Sequence, residues 1–231
     1  MTEDWKGMTE DTPEVRPDIE PNEIDTVVSA WSGVIGSVPG IGPVVAELVR
    51  YTIPNQRLDR MADFVRILDD KVSVLERSVL EEKMRTPQFV DLFEDGAYQA
   101  VTSASDKRRE YIAALLKNSL TSEELSHEQE KKLLALLAQL NDSELVILSY
   151  YGTGMLGEEA NDYFRRHEDV LRPPIIETGM SDEEARDNML KQAYRDNLRL
   201  LGLARTGSRR TDQITPVGRL LLQHIDFYSL T

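Results

Sequence analysis

Hydrophobic residues recur at three- and four-residue intervals along most of this chain, a spacing that predicts an almost wholly helical protein. After Pro54, the positions Leu58, Met61, Val65, Leu68, Val72, Leu75, Val79 and Leu80 form a near-heptad series. They predict one long amphipathic helix from Asn55 to about Met84, with Asp69, Asp70, Lys71, Glu76, Arg77 and Glu81 on its outer face. Thr86 followed by Pro87 is a helix start, and Phe89, Leu92, Phe93, Ala97, Ala100 and Val101 follow it at inward-facing spacing. Ser103 or Ser105 caps a further helix carrying Tyr111, Ile112, Leu115 and Leu116, and His127 to Leu140 is helical again. The run from Glu144 to Tyr151 suits a strand or a buried helix, and Asn141 and Ser143 before it favour the helix.

Further on, Gly152, Gly154 and Gly157 read as a flexible break, and Tyr163–Leu171 as a short helix ended by Pro173 and Pro174. Ser181 with Glu184 makes a capping box, opening a helix that is expected to run to Leu203. Its apolar positions are Met189, Leu190, Ala193, Tyr194, Leu198, Leu200 and Leu201. A two-sided turn at 204–214 precedes a closing helix with Thr215 as cap and Pro216 in its first turn. The expected fold class is therefore all-α: a helical bundle with a long amphipathic helix, followed by a winged-helix-like C-terminal module with at most a small β wing. The predicted boundaries are an acidic arm at 1–25, an apolar hairpin at 26–53, the bundle at 54–126 and the winged-helix-like domain at 127–231.

The N-terminal quarter departs from this pattern. Thr26 to Ala46 is 21 residues without a charge, yet Gly33, Gly36, Pro39, Gly40, Gly42 and Pro43 break its middle. It reads as a helix to about Val38, a turn, and a second short helix. The first helix reaches only ~22 Å against the ~30 Å of a bilayer core. Two readings fit: a hairpin buried against the next helix, or one dipping into a leaflet through Trp31, Val34, Ile35, Gly36, Ile41, Val44 and Val45. Net charge is −14, and residues 1–25, with nine acids and two bases, hold half of it. That segment is either a solvating tail or an interaction arm anchored by Trp5. It has no basic and apolar pattern of a secretory signal, and a cytoplasmic protein is expected, peripheral at the inner membrane face if the hairpin meets lipid.

Candidate chemistry is sparse. The chain has no Cys, and its three histidines, His127, His167 and His224, lack metal-site spacing. His167, Glu168 and Asp169 read as a solvated helix face. Gly152 to Gly157 spells GxGxxG without the strand–turn–helix setting that gives the motif meaning. No cofactor, metal or small-molecule substrate is expected, and no enzyme activity. Residues 181–231 are close to neutral, with seven acids and eight bases, and Arg205, Arg209, Arg210 and Arg219 gather about the turn. These arginines suit phosphates, whereas Asp182, Glu183, Glu184 and Asp187 at the start of the preceding helix oppose them. A protein contact is favoured over a DNA-binding regulator.

The segments SASDKRREYIAALLKNSL, LLALLAQLNDSELVILSYY, DNLRLLGLARTG and QITPVGRLLLQHI occur in this order. Together they resemble the abortive-infection alpha family of bacterial anti-phage proteins over about residues 100–226, with Ile53 and Pro54 as a weaker upstream match. The resemblance implies a bacterial anti-phage role alongside another protein encoded nearby, and the long amphipathic helix suits a bundle or self-association. It transfers no catalytic residue. The acidic arm and the Gly/Pro-broken hairpin depart from the family pattern.

Overall fold

The computed structural model describes residues 58–121, 125–153, 157–175, 180–207 and 211–227. The acidic arm and the 26–53 hairpin, with Trp31, Val34, Ile35, Gly36, Ile41, Val44 and Val45, lie outside the described residues, as do Arg209 and Arg210. The fold is all-α with one small β element, the class the periodicity predicts.

The expected long helix is two helices, α1 (Leu58–Val72) and α2 (Arg77–Met84). The Ser73 hydroxyl donates to the Asp70 carbonyl at 2.7 Å and the Leu75 amide to Val72 at 2.9 Å, a local turn that competes with helix continuation. The bend turns Leu80 and Met84 into the core already filled by Met61, Phe64, Val65, Leu68 and Val72. A straight heptad helix would have carried them past it.

Helix α3 (Pro87–Thr102) starts as expected, with Thr86 accepting the Phe89 amide, and buries all six of its predicted inward residues. Ser105 begins α4 (Asp106–Thr121) by accepting the Arg108 amide at 3.3 Å. Helix α4 is buried nearly all round, through Tyr111, Ile112, Ala113, Ala114, Leu115, Leu116 and Leu120, because α1 and α3 both lie on it. Capping boxes open α5 (His127–Ala138) at Ser126 and α6 (Asp142–Gly152) at Asn141, which settles the ambiguous apolar run as a helix closed by Gly152. Asp91 ties α5 to α3 by accepting from Lys131 at 2.7 Å and pairing with His127 Nε2 at 2.8 Å. Among the described residues no single helix is long and apolar enough to cross a membrane.

The short helix expected at Tyr163–Leu171 starts earlier and is broken: α7 is Glu158–Arg166 and α8 is Glu168–Leu171. His167 leaves helical geometry between them, its ring 4.7 Å from that of Tyr163, so it is half-buried rather than part of a solvated face. Helix α9 (Asp182–Leu200) has the predicted capping box, but it ends before Leu203. Gly202 takes a left-handed φ of 71°. Its amide reaches the Arg199 carbonyl, and the Leu203 amide reaches Leu198 at 2.9 Å, a Schellman ending. Strands β1 (Ala204–Thr206) and β2 (Asp212–Ile214) then pair antiparallel, Ala204 opposite Ile214 and Thr206 opposite Asp212. Thr215 caps α10 (Pro216–His224) as predicted.

One buried cluster runs from Met61 to Phe227, so segments 54–126 and 127–231 share a core. Helix α6 centres the C-terminal half, touching α7, α8, α9, β2 and α10. Helix α10 is seated at Gly218, where an added Cβ would fall 2.5 Å from the Leu203 carbonyl oxygen and 2.9 Å from Ile214. That carbonyl already accepts the Thr215 amide at 2.9 Å and its hydroxyl at 3.1 Å, so it cannot readily move.

Two stability predictions follow from this packing. Gly218→Ala should destabilise by about 1–3 kcal/mol in a thermal melt, through overpacking, although alanine is the better helix former by ~1 kcal/mol. A gain in Tm would contradict the close approach. Half-buried Glu130 on α5 has its carboxyl pushed up to about 7 by desolvation, against the pull of His127 and Lys83. A carboxyl raised above its unfolded value of 4.5 favours the folded state while protonated, and that contribution is lost as pH rises through 7. Glu130→Gln should therefore raise Tm at pH 8 and leave it unchanged at pH 4. After discounting for solvent screening the gain is about 1 kcal/mol, or ~2–4 °C.

Candidate functional site

The β hairpin is too short to hold its own position, and a buried carboxylate does it. Asp212 accepts Arg199 Nε at 2.9 Å and Nη2 at 2.7 Å, one on each oxygen, and the Tyr151 hydroxyl at 3.0 Å. This bidentate pair joins β2 to α9 and, through Tyr151, to α6. The hydrogen bond to Asp212 holds the Arg199 guanidinium above its ordinary range. Burial, reinforced by Asp212, pushes the Tyr151 phenol well above its own, so it remains a donor.

The hairpin so fixed forms one wall of a cleft of about 540 Å³ with α10. Ile214, Pro216, Val217 and Leu220 supply apolar surface, and Arg205, Arg219 and Gln223 the polar lining. Both arginines are exposed, and among the described residues neither makes a side-chain hydrogen bond or an ion pair. This contrasts with Arg108, Arg109, Arg195 and Arg199, which are all engaged within the fold. Two of the four arginines singled out in the sequence thus line a single concavity.

Beside the hairpin, α9 has its apolar residues largely on the wrong side. Only Arg195 and Leu198 of this helix are buried, where it rests on α6 and β1. Met189 is 63% exposed, Leu190 54% and Leu200 85%. Met189, Ala193 and Leu200 lie four and seven residues apart, on one exposed face opposite Leu198. The stripe was visible in the sequence; its orientation was not, because a helix that buries residues only near its C-terminal end need not bury every apolar residue.

The three histidines are held by separate contacts. His224 Nδ1 lies 3.1 Å from the Leu220 carbonyl, His127 is bound to Asp91, and His167 packs on Tyr163, so the three histidines sit apart. Burial and the neighbouring Arg166 hold the His167 imidazole below its usual pKa. No group of three His, Asp or Glu placed to hold a metal ion occurs among the described residues. A second concavity, about 250 Å³ near the start of α9, is lined by side chains that bond one another or the nearby backbone: Lys191 pairs with Asp187 at 2.7 Å and Asn188 accepts the Ile175 amide at 3.1 Å.

Sequence reasoning missed the cleft's Gln223, Val217 and Leu220, and the Arg199–Asp212 pair. The available signal was Val217 and Leu220 at helical spacing with Arg219 and Gln223 between and beyond them. No protein-family model, no curated protein and no solved structure matches the chain.

Breaking the keystone pair has a defined cost. Asp212→Ala leaves the Arg199 guanidinium still paired with Asp196, and because Arg199 is also about one-third exposed the loss should be about 2 kcal/mol rather than the 3–5 kcal/mol of a fully buried pair. Chemical denaturation should show a lower midpoint with an unchanged slope. An unaltered midpoint would mean that the hairpin is held by packing alone.

Proposed function

We propose that this chain is an anti-phage defence component that works by protein assembly rather than catalysis, as its resemblance to the abortive-infection alpha family implies. The outward face of α9 is the observation that carries this reading. In a winged-helix reading of residues 127–231, α9 is the helix that enters a groove and β1–β2 is the wing. A groove-reading helix needs donors for base edges and cations for phosphates. The face available here offers Met189, Ala193 and Leu200, with Asp182 and Asp196 beside them. Acids at the first turn repel a phosphate backbone, whereas an apolar stripe of this kind suits a protein partner.

The partners that fit are a second copy of the chain and a second defence protein. The 26–53 segment supplies another apolar surface, covered by protein or by the inner face of the membrane of a cytoplasmic, peripheral protein. The reading requires no cofactor and no small-molecule substrate. A second reading, a winged-helix DNA-binding regulator, is favoured by one observation, the two unengaged arginines beside the hairpin.

The test is phage plaquing on cells expressing the wild type or Met189→Glu/Leu200→Glu, with light scattering and thermal melts of both purified proteins. Substitutions at such exposed positions should change stability by no more than about 0.5 kcal/mol each. Protection and self-association should be lost together in the folded variant. Full protection by that variant would remove α9 as the assembly face. The regulator reading predicts instead a duplex affinity that falls steeply with salt and depends on Arg205 and Arg219.

A further inference from the structure

We infer that the cleft between the β hairpin and α10 is a docking site for the chain's own acidic N-terminal segment, residues 1–25, with Trp5 on the apolar lining and its neighbouring carboxylates facing Arg205 and Arg219. This rests on the reading of the C-terminal surface as a partner-binding one, and adds the ligand that competes for it.

The cleft itself specifies a ligand chemistry. Ile214, Pro216, Val217 and Leu220 ask for a bulky apolar group, and two cations with no side-chain partner among the described residues ask for carboxylates close to it. Residues 1–25 hold half of the net charge of −14, and the end of the chain that forms the cleft is near neutral, so two cations at its rim favour an acidic ligand. Residues 1–25 match it. They contain nine acids and two bases, and Trp5 is their one aromatic residue, immediately preceded by Glu3 and Asp4. An aromatic side chain with carboxylates one and two positions away presents the groups the cleft can meet, in the same small space. Arginine at the rim can also lie over the indole face.

Reach does not oppose the contact. Residues 26–57 separate the segment from α1. Even with 26–53 folded back as a hairpin, residues 6–25 at ~3.3 Å per residue span up to about 65 Å, several times the ~16 Å radius of gyration of a domain this size. Docking within one chain also replaces an affinity by an effective concentration, so a weak contact suffices to keep an external partner out.

The chain has only two tryptophans, Trp5 and Trp31, which makes the inference measurable in the full-length protein. In a Trp31→Phe background, fluorescence reports Trp5 alone. The expected result is a blue-shifted emission, protected from acrylamide. Both features should be lost in Arg205→Glu/Arg219→Glu, retained in Arg205→Lys/Arg219→Lys, and lost in 1 M NaCl, where the Debye length falls to about 3 Å. Circular dichroism melts confirm that the variants fold, since both positions are exposed. A solvent-like Trp5 spectrum in the Trp31→Phe protein overturns the inference, as does a blue shift that survives charge reversal. A shift that disappears on dilution shows that a second copy's segment fills the cleft, and overturns the intramolecular form. These readings do not depend on phage protection, so docked Trp5 with unaffected plaquing in the α9 variant would count against assembly through α9 alone.

Discussion

Helix ends that stop inside a protein leave carbonyls without partners, and satisfying them organises this fold. Three such ends are met by side chains from other helices. Arg108 on α4 donates to the carbonyls of Leu137 and Leu140 at the end of α5. Arg195 on α9 donates to Leu171 at 3.0 Å and Arg172 at 3.4 Å, at the end of α8. Asn118 on α4 donates to His224 at 2.9 Å, at the end of α10. The first two contacts tie successive helices together, and the third joins elements remote in sequence. Burial holds the Arg108 guanidinium below its ordinary pKa, with Asp142 acting in the opposite direction.

This use of cations shapes what remains for function. Arg108, Arg195 and Arg199 are consumed by carbonyls or by Asp212, and Arg109 is bound to Asp63 and Asp106. Arg205 and Arg219, with no side-chain partner among the described residues, line a cleft whose walls are fixed by the engaged ones. The Arg199–Asp212 pair positions β2, the Leu203 carbonyl positions Thr215, and Gly218 lets α10 close against both. A surface held this way is formed before a partner arrives, which lowers the ordering cost of binding.

Much of the fold was legible because its signals are local. Thr86 with Pro87, Asn141 with Glu144, Ser181 with Glu184, and Thr215 with Pro216 each satisfy helix-start amides within four residues, so reading them needs no tertiary information. The inward residues of α3 were legible for the same reason: one helix face and one period. What escaped was decided at a distance. The break after Val72 answers to the shape of a core shared with α3 and α4, which a heptad series cannot encode. The ending of α9 did have a local signal, Gly202 behind the last periodic residues, overlooked because Leu201 and Leu203 continue the apolar run. Arg205 and Arg219 were found as charges, but their shared concavity depends on how the hairpin pairs and where α10 sits.

Helix α9 shows how one set of residues serves two ends. Asp182, Glu183 and Glu184 lie in its first turn, where carboxylates complement the positive end of the helix dipole. They stabilise a helix whose first three turns have little core to lean on, since burial begins only at Arg195. The same charges surround the end of the helix that would meet a phosphate backbone first, and there they oppose it. On the reading proposed above, the same three side chains therefore stabilise a weakly supported helix and disfavour nucleic acid. The outward residues Met189, Ala193 and Leu200, with Asp196 among them, leave apolar surface in water that would be worth ~25 cal/mol per Å² to cover.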